Sequence, residues 1–220
     1  MKTVLSTKML SLPQKELFLN SGLGLVEYDA LKIELLDVEI PFDCQNYIFT
    51  SKNAVKAFLN QTKGLDYSKF NIFCVGGKTK ALLEENGLKV VEIAENASEL
   101  AENIIKRHQN ETFVFLCGNK RRGELPDILT KNNVQYKELE VYHTNLNPKA
   151  FKRDFDGILF FSPSGIRSFL LENTLGNCTL FCIGETTATE ARKHSKNSIV
   201  ANKPTVENVL VQAINHFKHL

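Results

Sequence analysis

The residues best suited to chemistry in this 220-residue chain sit in short turns rich in glycine, hydroxyls and base. Ser51 opens Ser51-Lys52-Asn53-Ala54-Val55, and Gly76-Gly77 follows the run Ile72-Phe73-Cys74-Val75. Gly118-Asn119-Lys120-Arg121-Arg122 follows another apolar run. The second half holds Ser162-Pro163-Ser164-Gly165 and Gly184-Glu185-Thr186-Thr187. Where such turns lead into helices, unpaired backbone N–H groups and the positive end of the helix dipole attract anions. Glycine lets a ligand approach the backbone closely. Lys120 or Arg121 can add charge-assisted hydrogen bonds worth roughly 1.5–3 kcal/mol each. The chemistry implied is recognition of a molecule with several carboxylates or phosphates. Each turn also has a plainer use. Ser51, Ser164 and Thr187 can be helix caps worth about 1 kcal/mol each, and Thr187 with Glu190 has capping-box spacing. Gly76 and Gly184 can serve tight turns, and Lys120–Arg122 can be a solvated helix start. Tyr142, in Leu139-Glu140-Val141-Tyr142-His143-Thr144, is a packing residue or, at a cleft, a phenol that gives a proton to a leaving oxygen. On a strand His143 points to the opposite face, so the two do not pair.

Several chemistries are excluded. Gly-x-Gly-x-x-Gly and the phosphate-loop lysine motif do not occur at Gly76. Gly-x-Ser-x-Gly does not occur at Ser51, Ser162 or Ser164, so a hydrolase elbow is unsupported. The five cysteines (Cys44, Cys74, Cys117, Cys178, Cys182) are odd in number and include no Cys-x-x-Cys. They read as buried, reduced residues of a cytoplasmic protein. His216 and His219 stand at i, i+3, but on a terminal helix this is a solvated end rather than a metal site. Twenty-seven basic against 25 acidic side chains give no nucleic-acid signature. No apolar stretch approaches the roughly 18 residues of a membrane span, and no secretory leader is expected from Met1–Lys8.

The elements that must position these turns alternate along the chain. Strands are expected at Thr3–Ser6, Leu31–Leu36, Tyr47–Thr50, Asn71–Val75, Lys89–Ile93, Thr112–Cys117, Glu138–Tyr142, Gly157–Phe161, Thr179–Ile183 and Ser198–Ala201. Most are continuously apolar or β-branched, as in parallel strands covered on both faces. Helical stripes lie between them, the clearest being Val206, Val209, Leu210, Ala213, Ile214 and Phe217. The alternation predicts an α/β protein with parallel sheets. The candidate turns then all lie at the carboxyl ends of strands, where ligands bind.

The chain also repeats itself. Tyr47–Leu59 aligns with Ile158–Leu170 at an offset of 111, and Ile72–Thr79 aligns with Leu180–Thr187 at 108. A weaker match sets the Thr3 strand, its helix and Leu31–Leu36 against the Thr112 strand, its helix and Glu138–Tyr142. Two sheets of about five strands each are expected from such a duplication.

In this order, Phe49-Thr50-Ser51-Lys52-Asn53-Ala54-Val55, Val75-Gly76, Cys117-Gly118-Asn119-Lys120-Arg121, Val141-Tyr142-His143-Thr144, Phe160-Phe161-Ser162-Pro163-Ser164-Gly165 and Ile183-Gly184-Glu185-Thr186-Thr187-Ala188 resemble the uroporphyrinogen-III synthase family. The resemblance implies two flavodoxin-like domains joined by a two-stranded β-ladder. Residues 1–34 with 145–220 would form a discontinuous first domain, and residues 35–144 an inserted second one. Hinge motion between them is the default expectation. The implied reaction closes hydroxymethylbilane, a linear tetrapyrrole with eight carboxylates, to uroporphyrinogen III with inversion of ring D and release of water. No metal or organic cofactor is implied. Tyr142 matches the candidate for assisting departure of the hydroxyl. Ser51, Gly76, Asn119, Lys120, Ser162, Ser164, Thr186 and Thr187 fall at substrate-binding positions. A cytoplasmic monomer acting on a small molecule, without nucleic acid or membrane, is expected, and no fused methyltransferase segment. Two rivals stand beside this reading: a non-catalytic two-domain polycarboxylate-binding protein, and a nucleotide- or flavin-dependent oxidoreductase, which the missing phosphate fingerprints disfavour.

Overall fold

The short β-branched and aromatic runs become strands, and the amphipathic segments between them become helices, in a computed structural model that describes residues 1–218. In chain order the elements are β1 (Thr3–Ser6), α1 (Leu12–Leu19), β2 (Gly24–Glu27), β3 (Leu31–Leu35), β4 (Asn46–Phe49), α2 (Lys52–Gln61), β5 (Asn71–Val75), α3 (Gly77–Glu85), β6 (Val90–Ala94), α4 (Ala97–His108), β7 (Thr112–Gly118), α5 (Glu124–Lys131), β8 (Gln135–Leu146), β9 (Gly157–Phe160), α6 (Pro163–Leu170), β10 (Thr179–Cys182), α7 (Glu185–Arg192), β11 (Ser198–Val200) and α8 (Val206–Lys218). His219, named above with His216, lies outside the described residues.

The chain divides into two compact units, Met1–Lys32 with the chain from Asn145 onward, and Ile33–Thr144. The first unit holds a five-stranded sheet in the order β11-β10-β9-β1-β2, with every pairing parallel. Counted along that unit the order is 2-1-3-4-5, that of a flavodoxin-like doubly wound sheet. The second unit holds a six-stranded sheet in the order β3-β8-β7-β4-β5-β6, and β8-β7-β4-β5-β6 is the same parallel arrangement. The two sheets thus have equivalent strands, but the second unit meets them in a permuted chain order. The duplicated sequence and the compact units therefore have different boundaries.

Both units are built by strands that send alternate residues to opposite faces. In the second unit Tyr47, Phe49, Ile72 and Cys74 pack on one face beneath Val55 and Phe58 of α2 and Leu83 of α3. Ile48, Phe73, Phe113 and Phe115 pack on the other, against Leu100 and Ile104 of α4 and Leu125 and Leu129 of α5. In the first unit Leu5, Ile158, Phe160 and Leu180 face α6 and α7. Val4, Leu159 and Phe181 face Phe18 of α1 and the Val209–Ile214 stripe of α8. Each fully buried Phe or Leu contributes roughly 1.5–3 kcal/mol. A single offset of 108 residues relates Phe73 and His108 to Phe181 and His216. In each unit the histidine ring stands edge-on to that phenylalanine, at 5.0 Å and 5.6 Å between centroids.

The structure departs from the sequence reading at four places. Gly24–Glu27 is a strand the apolar-run criterion missed, since it begins with glycine and ends with glutamate. It, and not Leu31–Leu36, is the parallel neighbour of β1, with Thr3 opposite Gly24. β8 is longer than Glu138–Tyr142, taking in Gln135–Lys137, where polar and apolar residues alternate, and the polar run His143–Asn145, which no apolar pattern marks. In β7–β8 Thr112 lies opposite Gln135, so the repeat equates β2 with the start of β8. Third, Thr187 is not a cap: α7 is capped by Gly184, and Thr187 lies buried in its first turn. Likewise Ser162, not Ser164, caps α6 by accepting a hydrogen bond from the Gly165 N–H at 3.1 Å. Fourth, Lys120–Arg122 precede α5, whose cap is Gly123, so they form a turn and not a helix start.

Candidate functional site

In a doubly wound sheet the ligand crevice opens where strand order reverses, outside the carboxyl ends. In the second unit that point lies between β7 and β4. β4 ends into Thr50 and Ser51, and Ser51 caps α2, its Oγ accepting the Asn53 N–H at 3.1 Å. β7 ends at Gly118, followed by the basic turn. β8 brings Tyr142 alongside. These meet at a cavity of about 360 Å³ lined among others by Ser51, Glu95, Lys120, Arg122 and Tyr142. The N-termini of α2, α4 and α5 all begin at its wall.

Tyr142 is held from three directions. Its hydroxyl donates to Ser51 Oγ at 3.1 Å. Its ring lies directly over Gly118, its partner in the β-ladder. A Cβ on Gly118 would stand 2.4 Å from the tyrosine Cζ, so only glycine fits there. Asn119 closes the turn on both sides of Tyr142. Its N–H donates to the Tyr142 carbonyl at 3.4 Å, and its Oδ1 accepts from the Thr144 N–H at 2.9 Å. His143 faces elsewhere and meets Glu140 at 3.2 Å.

Charge at the cavity is mixed but weighted to base. Arg121 is tied to Glu138. Lys120 and Arg122 are exposed and form no ion pair among the described residues. Cys117, beside this turn, is 2% exposed, and burial pushes its thiol up to about 11. It is therefore a neutral core group at physiological pH and not a nucleophile. Cys74, Cys178 and Cys182 are likewise buried, Cys44 is partly exposed, and none is in a disulfide.

Of the residues singled out from sequence, the structure brings Ser51, Lys120 and Tyr142 to one cavity. Gly76 and Asn119 stand in neighbouring turns of the same sheet edge without lining it. Gly76 caps α3 with φ +84°, a conformation that favours glycine. Ser162, Ser164, Thr186 and Thr187 occupy the equivalent turns of the first unit. Ser162 and Ser164 are half-buried at the start of α6, Thr186 is exposed and Thr187 buried at the start of α7. Sequence reasoning missed Glu95 and Asn96. Asn96 caps α4 by accepting from the Glu99 N–H at 2.9 Å. Its signal was legible: Asn96-Ala97-Ser98-Glu99 has the spacing of a capping box after a strand. Larger hollows, about 460 Å³ near Phe151 and Phe169 and about 570 Å³ near Leu35 and Phe42, lack this convergence of hydroxyl, phenol and unpaired cations. Among the described residues no group of three or more His, Cys, Asp or Glu is placed to hold a metal ion. No helix there is long and apolar enough to cross a membrane.

The family model described as uroporphyrinogen-III synthase HemD matches residues 23–210. A porphyrin biosynthesis protein HemD from Ruminiclostridium josui is 28% identical in an alignment 182 positions long that covers 74% of this chain and 36% of that relative's length. The fold is similar to that of a uroporphyrinogen-III synthetase from Helicobacter pylori, with a TM-score of 0.77 at 21% identity, covering 98% of this chain and 100% of that one. A mutant uroporphyrinogen III synthase from Thermus thermophilus matches with a TM-score of 0.64 at 14% identity, covering 100% of this chain and 99% of the other. With the family model spanning most of the chain and the same two-unit α/β fold in these solved structures, the chain belongs to the uroporphyrinogen-III synthase family.

Proposed function

We propose that this protein is a uroporphyrinogen-III synthase: it cyclises hydroxymethylbilane with inversion of ring D, gives uroporphyrinogen III and releases water. The observation that carries the reading is Tyr142, a phenol held at a cavity wall where three helices begin and two basic side chains are unpaired. The family match supports the enzyme over a non-catalytic polycarboxylate-binding protein.

The reaction needs little covalent work from the protein. Loss of the substrate hydroxyl leaves an azafulvene cation, and attack on it through a spiro intermediate precedes the final closure. The protein must favour that attack over direct head-to-tail closure, which is a matter of holding the chain ends in place. Carboxylates of the substrate suit the anion-seeking turns at Ser51, Gly76, Asn119 and Lys120, and at Ser162, Ser164, Thr186 and Thr187 in the other unit. Asn119 retains its Nδ2 donors for this, since its Oδ1 is taken by Thr144. Tyr142 is the proton donor to the departing hydroxyl. The protein would act as a cytoplasmic monomer, an environment that suits five unpaired cysteines.

The test supplies hydroxymethylbilane, generated in situ with porphobilinogen deaminase, and separates the oxidised isomers by chromatography. Type III predominating only when this protein is present is the expected result. Type I alone, from folded protein, would overturn the reading and leave a polycarboxylate-binding protein in its place.

A further inference from the structure

The hydrogen bond between Tyr142 and Ser51 runs in a direction that does not serve proton donation. Tyr142 donates its only proton to Ser51 Oγ at 3.1 Å. Ser51 Oγ accepts a second bond from the Asn53 N–H, also at 3.1 Å. A serine hydroxyl has two lone pairs and one proton. Both lone pairs are therefore engaged, the Ser51 proton is uncommitted, and the Tyr142 proton is not free for a ligand in the cavity. The reverse bond needs the Ser51 side chain to turn slightly toward Tyr142 Oη, because in the present geometry the tyrosine is the donor. If Ser51 turns its proton toward Tyr142 Oη, it keeps the bond from Asn53, and the Tyr142 proton turns to the cavity. The ring itself is fixed by Gly118 beneath it and by the Asn119 contacts to the Tyr142 carbonyl and the Thr144 N–H.

We propose that Ser51 is a positioning residue for Tyr142: it aims the phenolic proton at the leaving hydroxyl and then donates to the phenolate. This rests on the synthase reading above. In the step, the carbon–oxygen bond of the hydroxymethyl group breaks and its electron pair stays on oxygen. Tyr142 supplies the proton that makes the oxygen leave as water. The adjacent pyrrole supplies the electron pair that becomes the azafulvene double bond. The phenolate accepts a hydrogen bond from Ser51, which stands at the positive end of α2. The proton released when the last pyrrole regains its aromaticity returns to Tyr142.

The test is a double-mutant cycle with a spectroscopic control. Ser51→Ala is expected to lower kcat for type III formation about tenfold with KM little changed, and Ser51→Thr to restore most of it. In a Tyr142→Phe background Ser51→Ala is expected to cost nothing further. If the double variant instead falls by the product of the two single losses, or if Ser51→Ala acts on KM alone, Ser51 is a separate substrate contact and the proposal is overturned. The 13Cζ resonance of Tyr142, assigned by its loss in Tyr142→Phe, should move in Ser51→Ala and return toward its original position in Ser51→Thr. An unmoved resonance overturns the coupling whatever the activity. Failure of the unsubstituted protein to make type III counts against the synthase reading and leaves this resonance to decide the Ser51–Tyr142 link.

Discussion

Tyr142 reaches the cavity because two small residues make room for it and bind it: Gly118 below its ring and Ser51 at its hydroxyl. Tyr142→Phe keeps the ring contacts and removes the proton. It should lower the rate of type III formation on the order of 10²-fold and, through loss of the bond to Ser51, stability by only about 1 kcal/mol, as measured by turnover and calorimetry in parallel. Gly118→Ala places a methyl inside the ring's space. It is expected to cost about 1–3 kcal/mol of stability, as overpacking does, and to lower activity as well by displacing the phenol. Denaturant unfolding with an activity assay on the same samples checks both. Unchanged stability would mean that the ring moves aside freely.

Elements translate these contacts into stability. At α6 the cap is Ser162 and not the Ser164 expected from sequence. Ser162 accepts the Gly165 N–H at 3.1 Å, whereas Ser164 is already inside the helix. Ser162→Ala should lose about 1 kcal/mol, and Ser164→Ala much less, in thermal or urea unfolding. The start of β1 carries a pH dependence. The Thr3 N–H bonded to Asp156 at 2.8 Å, and then the Lys2 ammonium beside it, hold the Asp156 carboxyl below the ordinary carboxylate range. A depressed folded pKa means that this contribution is complete above the unfolded value of about 3.9 and is lost as pH falls through the folded value. Asp156→Asn should therefore flatten the acid limb of stability below about pH 4 and leave the slope near neutrality alone. Urea unfolding across pH measures this. An unchanged acid limb would mean that other carboxylates set it.

Among the described residues each compact unit has its own core. Every residue of the two clusters around Phe58 and Phe113 belongs to Ile33–Thr144, and every residue of the other two to the remaining unit. Ile33–Thr144 is continuous in sequence and carries all of β4–β7 and α2–α5. Expressed alone, it should unfold cooperatively, with the amides of β4 and β7 the most protected in hydrogen exchange. A fragment without dispersed amide resonances would mean that the unit borrows its stability from the rest of the chain.

The sequence by itself determined the class of the fold, the duplication and most of the strands. Alternating apolar runs and helical stripes act locally, and a strand buried on both faces can hardly look otherwise. It also placed the glycine- and hydroxyl-rich turns at strand ends, and the ordered motifs carried the resemblance to the family. β2 escaped because its four residues are only half-buried, so their strand character comes from pairing with β1 and not from their own hydrophobicity. Which serine capped α6, and that Thr187 was buried and not a cap, depended on where each helix began, a choice made by packing. Only the tertiary structure could bring Tyr142 to Ser51, 91 residues away, and reveal that Gly118 is glycine because a ring occupies its side-chain space. Those contacts join β4, β7 and β8, and the order of strands in a sheet is set by long-range pairing that no local pattern records.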